Sequence, residues 1–334
     1  MMQGVVTSRG AVYFVPVPSA LTVLLLLALT AFSCTAAESA PLKEEKEKKE
    51  DPVEKAYQRL LEEDDKAQAD IDKWILEEGR LRQQGAGIPV STLELRIEQR
   101  RKKVEDAYRS FVFHNPEHAA SRLAFGSFLN EQGRESDAAE QWKKAAEIAP
   151  DNPAAWNNLA NYHGHNGPVK KAFEYYEKAI KLNPKEPVYR HNFAVTVYLF
   201  RKDAREYFET DEDGVFDKSL ALYREALKLD PDNFVLATDY AQSYYGIRPP
   251  RIADGIKAWT AALKLARDDF EREGVEIHLA RFEINAGKFE SAGKRLRSVK
   301  DKRYGALVKR VLESLERKRL AARGVSETPV AAPE

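Results

Sequence analysis

Three clusters in this 334-residue sequence contain side chains from which a reactive or ligand-binding site can be built. His163-Gly164-His165 sets two imidazoles two positions apart, and imidazole is the commonest protein ligand for transition metals. On a helix that step turns the two rings away from each other. Neither a carboxylate nor a third His stands close in sequence, so the pair predicts packing and turn polarity. Glu209-Thr210-Asp211-Glu212-Asp213-Gly214, followed by Asp217, alternates hard oxygen donors before a glycine, the chemistry of a calcium loop. Where such a loop needs a bidentate Glu, the chain has Leu220. The expectation is an acidic loop, with Asp217 capping a helix that begins near Ser219. The third cluster is a spaced series: Asn158, Asn192, Asp239 and His278, with Asn157, Asn161, His191, Thr238, Gln242 and Arg281 beside it. A carboxamide both donates and accepts, so it can pair with a peptide backbone whatever the side chains. Asn157, Asn158, Asn161, His191, Asn192, Asp239, Gln242 and Arg281 are therefore the expected peptide-binding residues.

Catalytic signatures are missing. The sequence has no G-x-S-x-G, no P-loop and no H-E-x-x-H, and its single cysteine, Cys34, lies in an N-terminal apolar stretch. One cysteine excludes an intramolecular disulfide and a cysteine-based zinc site. The sequence predicts no enzyme, no cofactor and no metal site. The 53 Lys and Arg balance 53 Asp and Glu, which argues against a dedicated binder of nucleic acid or of anionic membranes.

The first 37 residues read as an export signal: one charge at Arg9, an apolar run from Ala20 to Phe32, then Ser33, Cys34, Thr35, Ala36 and Ala37. The run is shorter than the ~20 residues a spanning helix needs. Ala31-Phe32-Ser33-Cys34 resembles the bacterial lipoprotein box, which implies Cys34 as the lipidation site. The family prefers Leu where Ala31 stands and a small residue where Phe32 stands. Cleavage after Ala36 or Ala37 would instead remove the cysteine, and both outcomes stay open. Residues 38–52 follow as a charged linker that can bury nothing.

An internal period organises the middle of the chain. Pro116, Pro150 and Pro184 are each 34 residues apart, and the same step relates Gly133 to Gly167, Ala138 to Ala172, Trp142 to Tyr176, Ala145 to Ala179, and Phe125 to Leu159 and Phe193. The apolar spacing predicts two helices per unit. Asn166-Gly167-Pro168 breaks them apart and Asn183-Pro184 ends the second. Ala160 and Ala172 suit a close helix approach, while Trp156, Tyr176 and Leu182 fill the wider gaps. One hairpin cannot bury both faces, so neighbours must stack. The next unit stretches the step to 47, which places an insertion of about 13 residues within 201–219. A fourth unit carries Tyr240, Ala241, Trp259 and Ala262, with Arg248-Pro249-Pro250-Arg251 in its turn; a fifth carries Leu279, Ala280, Gly287 and Ala292.

Trp156, Leu159, Ala160, Gly167, Ala172, Tyr176, Ala179 and Pro184, preceded by Phe125, Gly126, Gly133, Ala138, Trp142, Ala145 and Pro150, resemble the tetratricopeptide repeat. The resemblance implies an all-α, right-handed superhelical solenoid of helical hairpins that binds a protein or peptide partner in its hollow. The asparagine series resembles the peptide-binding surface of the repeat domain in O-linked N-acetylglucosamine transferases. The lysine-based carboxylate clamp of chaperone-binding repeats is not matched, because Leu123, Asn157 and His191 stand at those positions.

The expected organisation is a signal at 1–37, a linker at 38–52, an N-terminal helical hairpin at 53–116 and about five repeats at 117–303. A capping helix at 304–324 and a loose tail at 325–334 complete it. In the hairpin, Gly85-Ala86-Gly87-Ile88-Pro89 separates two helices, and Ser91 with Glu94 predicts a capping box on the second. The function expected is a non-catalytic scaffold in the bacterial cell envelope, exported to the periplasm or attached to the outer membrane. Its partners would be proteins or peptides and not nucleic acid, and it would touch a membrane only through an N-terminal lipid. Resemblance extends to lipoproteins that assist outer-membrane protein or pilus assembly. The alternatives are a component that self-assembles through its N-terminal hairpin and a metal-dependent protein that uses the acidic insertion.

Overall fold

A computed structural model describes residues 51–323. The signal with Cys34, most of the charged linker and the tail lie outside the described residues. Among the described residues there are fourteen α-helices, one short 3-10 turn and no strand. Helices α1 (Pro52–Gln83) and α2 (Val90–His114) form a long hairpin. Five shorter pairs follow. They are α3 (Ala119–Glu131) with α4 (Glu135–Ile148) and α5 (Pro153–Asn166) with α6 (Val169–Leu182). In the third pair α7 (Pro187–Leu199) joins α9 (Glu212–Leu229), with the short α8 (Arg201–Tyr207) between them. Then come α10 (Phe234–Ser243) with α11 (Ile252–Lys264), and α12 (Asp269–Asn285) with α13 (Phe289–Ser298). The last helix, α14, spans Gly305–Ala322.

The starts of these helices follow from local chemistry. Asn152 and Glu186 accept from the backbone amides of Ala154 and Val188, each with proline opening the helix. Asn233 and Asp268 cap α10 and α12 in the same way. Two expected caps are displaced. Ser91 already lies inside α2, which starts at Val90 with no side-chain cap. Asp217 lies in the second turn of α9, whose cap is Asp211, accepting from Gly214 N at 2.8 Å. In an acidic run several residues can cap; the one that does is fixed by where tertiary packing starts the helix, and here Val215 and Phe216 are already buried.

Each second helix of a pair rests on the first helix of the next, from α4 on α5 through α13 on α14. The chain is thus an all-α solenoid of stacked helical hairpins, each hiding what its neighbour leaves bare. The core is four successive clusters. The first gathers Leu60, Val104, Tyr108, Phe125 and Trp142, so the long hairpin shares its interior with the first repeat. The others centre on Phe173, Tyr176, Phe193 and Tyr223; on Phe216, Trp259 and Phe282; and on Ile277, Leu296, Val311 and Leu315.

In each second helix a small residue stands four positions before the large one. Ala138, Ala172, Ser219, Gly255 and Ala292 occupy that position, and all are buried. Ser219 fills its place by donating to the Ala194 carbonyl at 2.9 Å. Leu182, expected to fill a gap, is instead exposed at the end of α6.

Candidate partner-binding face

The expected residues lie on α5, α7, α10 and α12, the first helices of the second to fifth pairs. On α7 and α10 they fall on one stripe by the three- and four-residue helical step. The structure joins several of them across repeats. Asn192 Nδ2 donates to Asn157 Oδ1 at 3.1 Å, and His191 Nε2 meets Asp239 Oδ2 at 2.9 Å. Both pairings run from one position in a unit to the following position in the next unit, so they are equivalent rungs. Asn157 also donates to Asn158 Oδ1 at 3.3 Å, and Asn161 Oδ1 accepts from Tyr176 at 2.6 Å. Thr196 extends this line by donating to the Tyr176 hydroxyl at 3.2 Å.

This polar seam ties repeats together, so several of the expected residues already have partners within the chain. Asn157 is only 6% exposed, and both ends of its amide are engaged within the chain. Asn158 and Asn192 are half-buried, with Asn158 Nδ2 and Asn192 Oδ1 pointing to no partner among the described residues. The seam stops at either end for a chemical reason. Upstream the equivalent residue is Leu123, which cannot pair. Downstream, His278 turns to the Tyr245 hydroxyl at 2.9 Å and stacks on Trp259 with ring centroids 4.2 Å apart. Burial, with the nearby positive charge of Arg281 adding to it, pushes the His278 pKa down to about 4. Arg281 itself lies over the Tyr245 ring at 4.7 Å, and Gln242 is exposed.

Sequence reasoning missed the apolar part of this face. Val188, Val195 and Leu199 share the stripe of α7 with His191 and Asn192, and Val235 precedes Thr238 and Asp239 on α10. Val188, Leu199 and Val235 are 38%, 42% and 39% exposed. A signal existed, because Val188 and Val235 are 47 residues apart, in register with the repeat.

The other two clusters hold no comparable site. His163 Nδ1 contacts the Gly167 carbonyl at 3.0 Å, as a helix-end contact. In the acidic segment Asp211 is the helix cap, Glu212 pairs with Arg201 at 3.3 Å, and Asp213 and Asp217 both meet Arg251. Those carboxylates are aimed at cations and an amide of the protein, Asp213 and Asp217 together at Arg251, and none is left as part of an open ligand set. Among the described residues no group of three or more His, Cys, Asp or Glu is gathered as a metal-ligand set.

Residues 153–186 match the family model of the tetratricopeptide repeat. The repeat unit of this chain is therefore a tetratricopeptide repeat, and the spacing and helix pairing on either side follow the same plan. The chain is similar to the photosystem I assembly protein Ycf3 of Cyanophora paradoxa, 29% identical over 122 residues, which is 35% of this chain and 70% of that protein. It is also similar to Ycf3 of Rippkaea orientalis, 32% identical over 84 residues, 25% of this chain and 49% of that protein. Among solved structures, YrrB, described as a repeat protein of this type with an unusual peptide-binding site, covers 66% of this chain at 13% identity and a TM-score of 0.46.

Proposed function

We propose that this protein is a non-catalytic adaptor of the cell envelope that holds an extended segment or helix of a partner protein against the first-helix row of its repeats. The observation that carries this reading is the mixed stripe on α7 and α10. Exposed Val188, Leu199 and Val235 flank a polar seam that is already ordered by its own hydrogen bonds. Apolar side chains give a partner area to bury, and a pre-ordered polar strip gives it a register at little entropic cost. The relatives named for assembly of a complex support a role in holding a component during assembly, although the matched part is about a third of this chain. Attachment to the envelope rests on the signal and on Cys34.

A photo-reactive residue placed at Val188, Val235 or Gln242, with exposed Lys144 and Lys171 as controls, tests this in cells. Crosslinks to one protein from the three face positions and none from the controls are expected. Equal yields from both sets, or none from the face, would reject the reading.

Self-assembly has its own observation. Ile75, Leu76, Val90 and Leu95 are exposed on the long hairpin. If they join two copies, sedimentation should show a dimer that Leu76→Lys with Leu95→Lys converts to a monomer.

A further inference from the structure

The balanced total charge conceals an uneven distribution. Between Lys288 and Arg323 thirteen Lys and Arg stand against four Asp and Glu. Ion pairing within the fold takes up charges of both signs: Arg295 is held by Glu276 and Glu283 of α12, and most of the four acids are engaged as well. Glu290 and Glu316 both meet Arg319, at 3.4 and 3.8 Å, and Asp301 meets Arg303 at 2.5 Å, which leaves Glu313 as the fourth. Lys288, Lys294 and Arg297 at α13, and Lys309, Arg310 and Arg317 on α14, are exposed. None of the six is within ion-pair distance of a carboxylate among the described residues. Helix α14 is 18 residues, about 27 Å, long. Salt screens charge beyond about 8–10 Å, so the acidic residues of the distant repeats do not cancel this field.

We propose that this end of the repeat array, α13 and α14, docks on an anionic lipid surface. Besides charge, α14 offers a small apolar opening: Gly305, Val308 and Leu312 line a cleft beside Lys309, Glu313 and Glu316. Val308 and Leu312 beside Lys309 fit the boundary between headgroups and acyl chains, while Glu313 and Glu316 stand on the same rim and leave the attraction to the other cations of α13 and α14. A nucleic acid is favoured less. Single-stranded bases need open aromatic faces, and the two aromatic residues in this stretch, Phe289 and Tyr304, are half-buried, with Tyr304 stacked on Phe270 at 4.8 Å. A single lipid chain gives only marginal attachment, which a polybasic surface reinforces. A basic carboxy-terminal end would thus complement an anchor at the other end of the chain and hold the repeats against the bilayer. The inference does not depend on what the α7–α10 face binds.

The test is flotation of the full chain with vesicles of phosphatidylcholine alone or mixed with phosphatidylglycerol. The apolar N-terminal stretch partitions into both, so the ratio between them isolates the charge effect. Each basic residue near such a surface multiplies binding by about fivefold, so Lys309→Gln, Arg310→Gln and Arg317→Gln together should cut the preference for the anionic vesicles roughly a hundredfold. The same exchanges at exposed Lys143, Lys144 and Lys171 should leave it intact. Equal flotation of the wild type with both vesicles, an equal loss in the control variant, or displacement from the vesicles by duplex DNA at matched phosphate would overturn the proposal.

Discussion

Two residues show how single side chains adjust a repeated template. The first repeat has Gly126 with Trp142, where the second and third have Ala160 with Tyr176 and Ala194 with Tyr223. The Trp142 indole donates to the Leu123 carbonyl at 3.2 Å and lies across Gly126, so a Cβ there would fall inside contact distance of the ring. Gly126→Ala should cost ~1–3 kcal/mol by overpacking. Trp142→Tyr in the same chain should recover most of it, since the pair then matches its neighbours. Thermal melts of both singles and the double measure that coupling, and an additive double would show that the ring does not press on the glycine. His278 gives a pH signature. Its folded pKa of about 4 lies below the ordinary 6.5, so the unfolded chain binds the proton first on acidification. The His278 contribution is complete above pH 6.5 and is lost as pH falls through that value towards 4, by up to ~3 kcal/mol. His278→Phe keeps a ring against Trp259 but cannot titrate. Its denaturation midpoint should therefore converge on, or pass, that of the wild type between pH 6.5 and 4, and parallel curves would show that the fold does not lower the His278 pKa. The Gly126–Trp142 exchange was open to a reader of the sequence because the period aligns the two sites. The burial of His278 was not, because the stacking partner Trp259 comes from the preceding repeat.

Helix pairs carry most of what could be foreseen. Their number, their order and the break at Gly167-Pro168 follow from proline and glycine spacing, which acts locally. Helix ends inside the insertion did not follow. The sequence shows five carboxylates between Glu209 and Asp217, each able to cap, and only the burial of Val215 and Phe216 selects Asp211. The binding-face series was legible as positions and illegible as bonds. Spacing puts Asn158 opposite Asn192, yet the stacking offset between repeats joins Asn157 to Asn192 instead. That one-residue shift sets what each truncation costs. Asn157→Ala removes a buried amide and strips Asn192 of its acceptor, so it should cost ~1–3 kcal/mol. Asn158→Ala takes the 3.3 Å acceptor from the buried Asn157 amide nitrogen and leaves the Asn157–Asn192 bond in place, so it should cost less, about 1 kcal/mol. Chemical denaturation of the two variants distinguishes the seam from a merely solvated row, for which both would be neutral.

At the scale of the whole array, the end units decide whether the stack is stable, since each interior hairpin is covered on both sides and an end hairpin on one. The long α1–α2 hairpin covers the amino-terminal side of the repeats. Tyr108 stacks on Phe125 with centroids 5.4 Å apart, Tyr57 donates to the Ala120 carbonyl at 3.1 Å, and Phe128 and Leu129 complete the shared cluster. A chain beginning at Glu117 would expose Phe125, Phe128 and Leu129 together, at roughly 2 kcal/mol of lost burial for each. Because coupling passes only between neighbours, the damage should be graded along the array. Amide exchange in α3 and α4 should lose its protection, α5 and α6 should lose part, and α10 to α13, covered by α14, should keep theirs. A uniform loss of protection would mean that the five repeats unfold as one unit. Full protection of α3 and α4 would mean that the hairpin is a separate attachment whose removal the repeats tolerate, which is the arrangement a dedicated self-assembly arm requires.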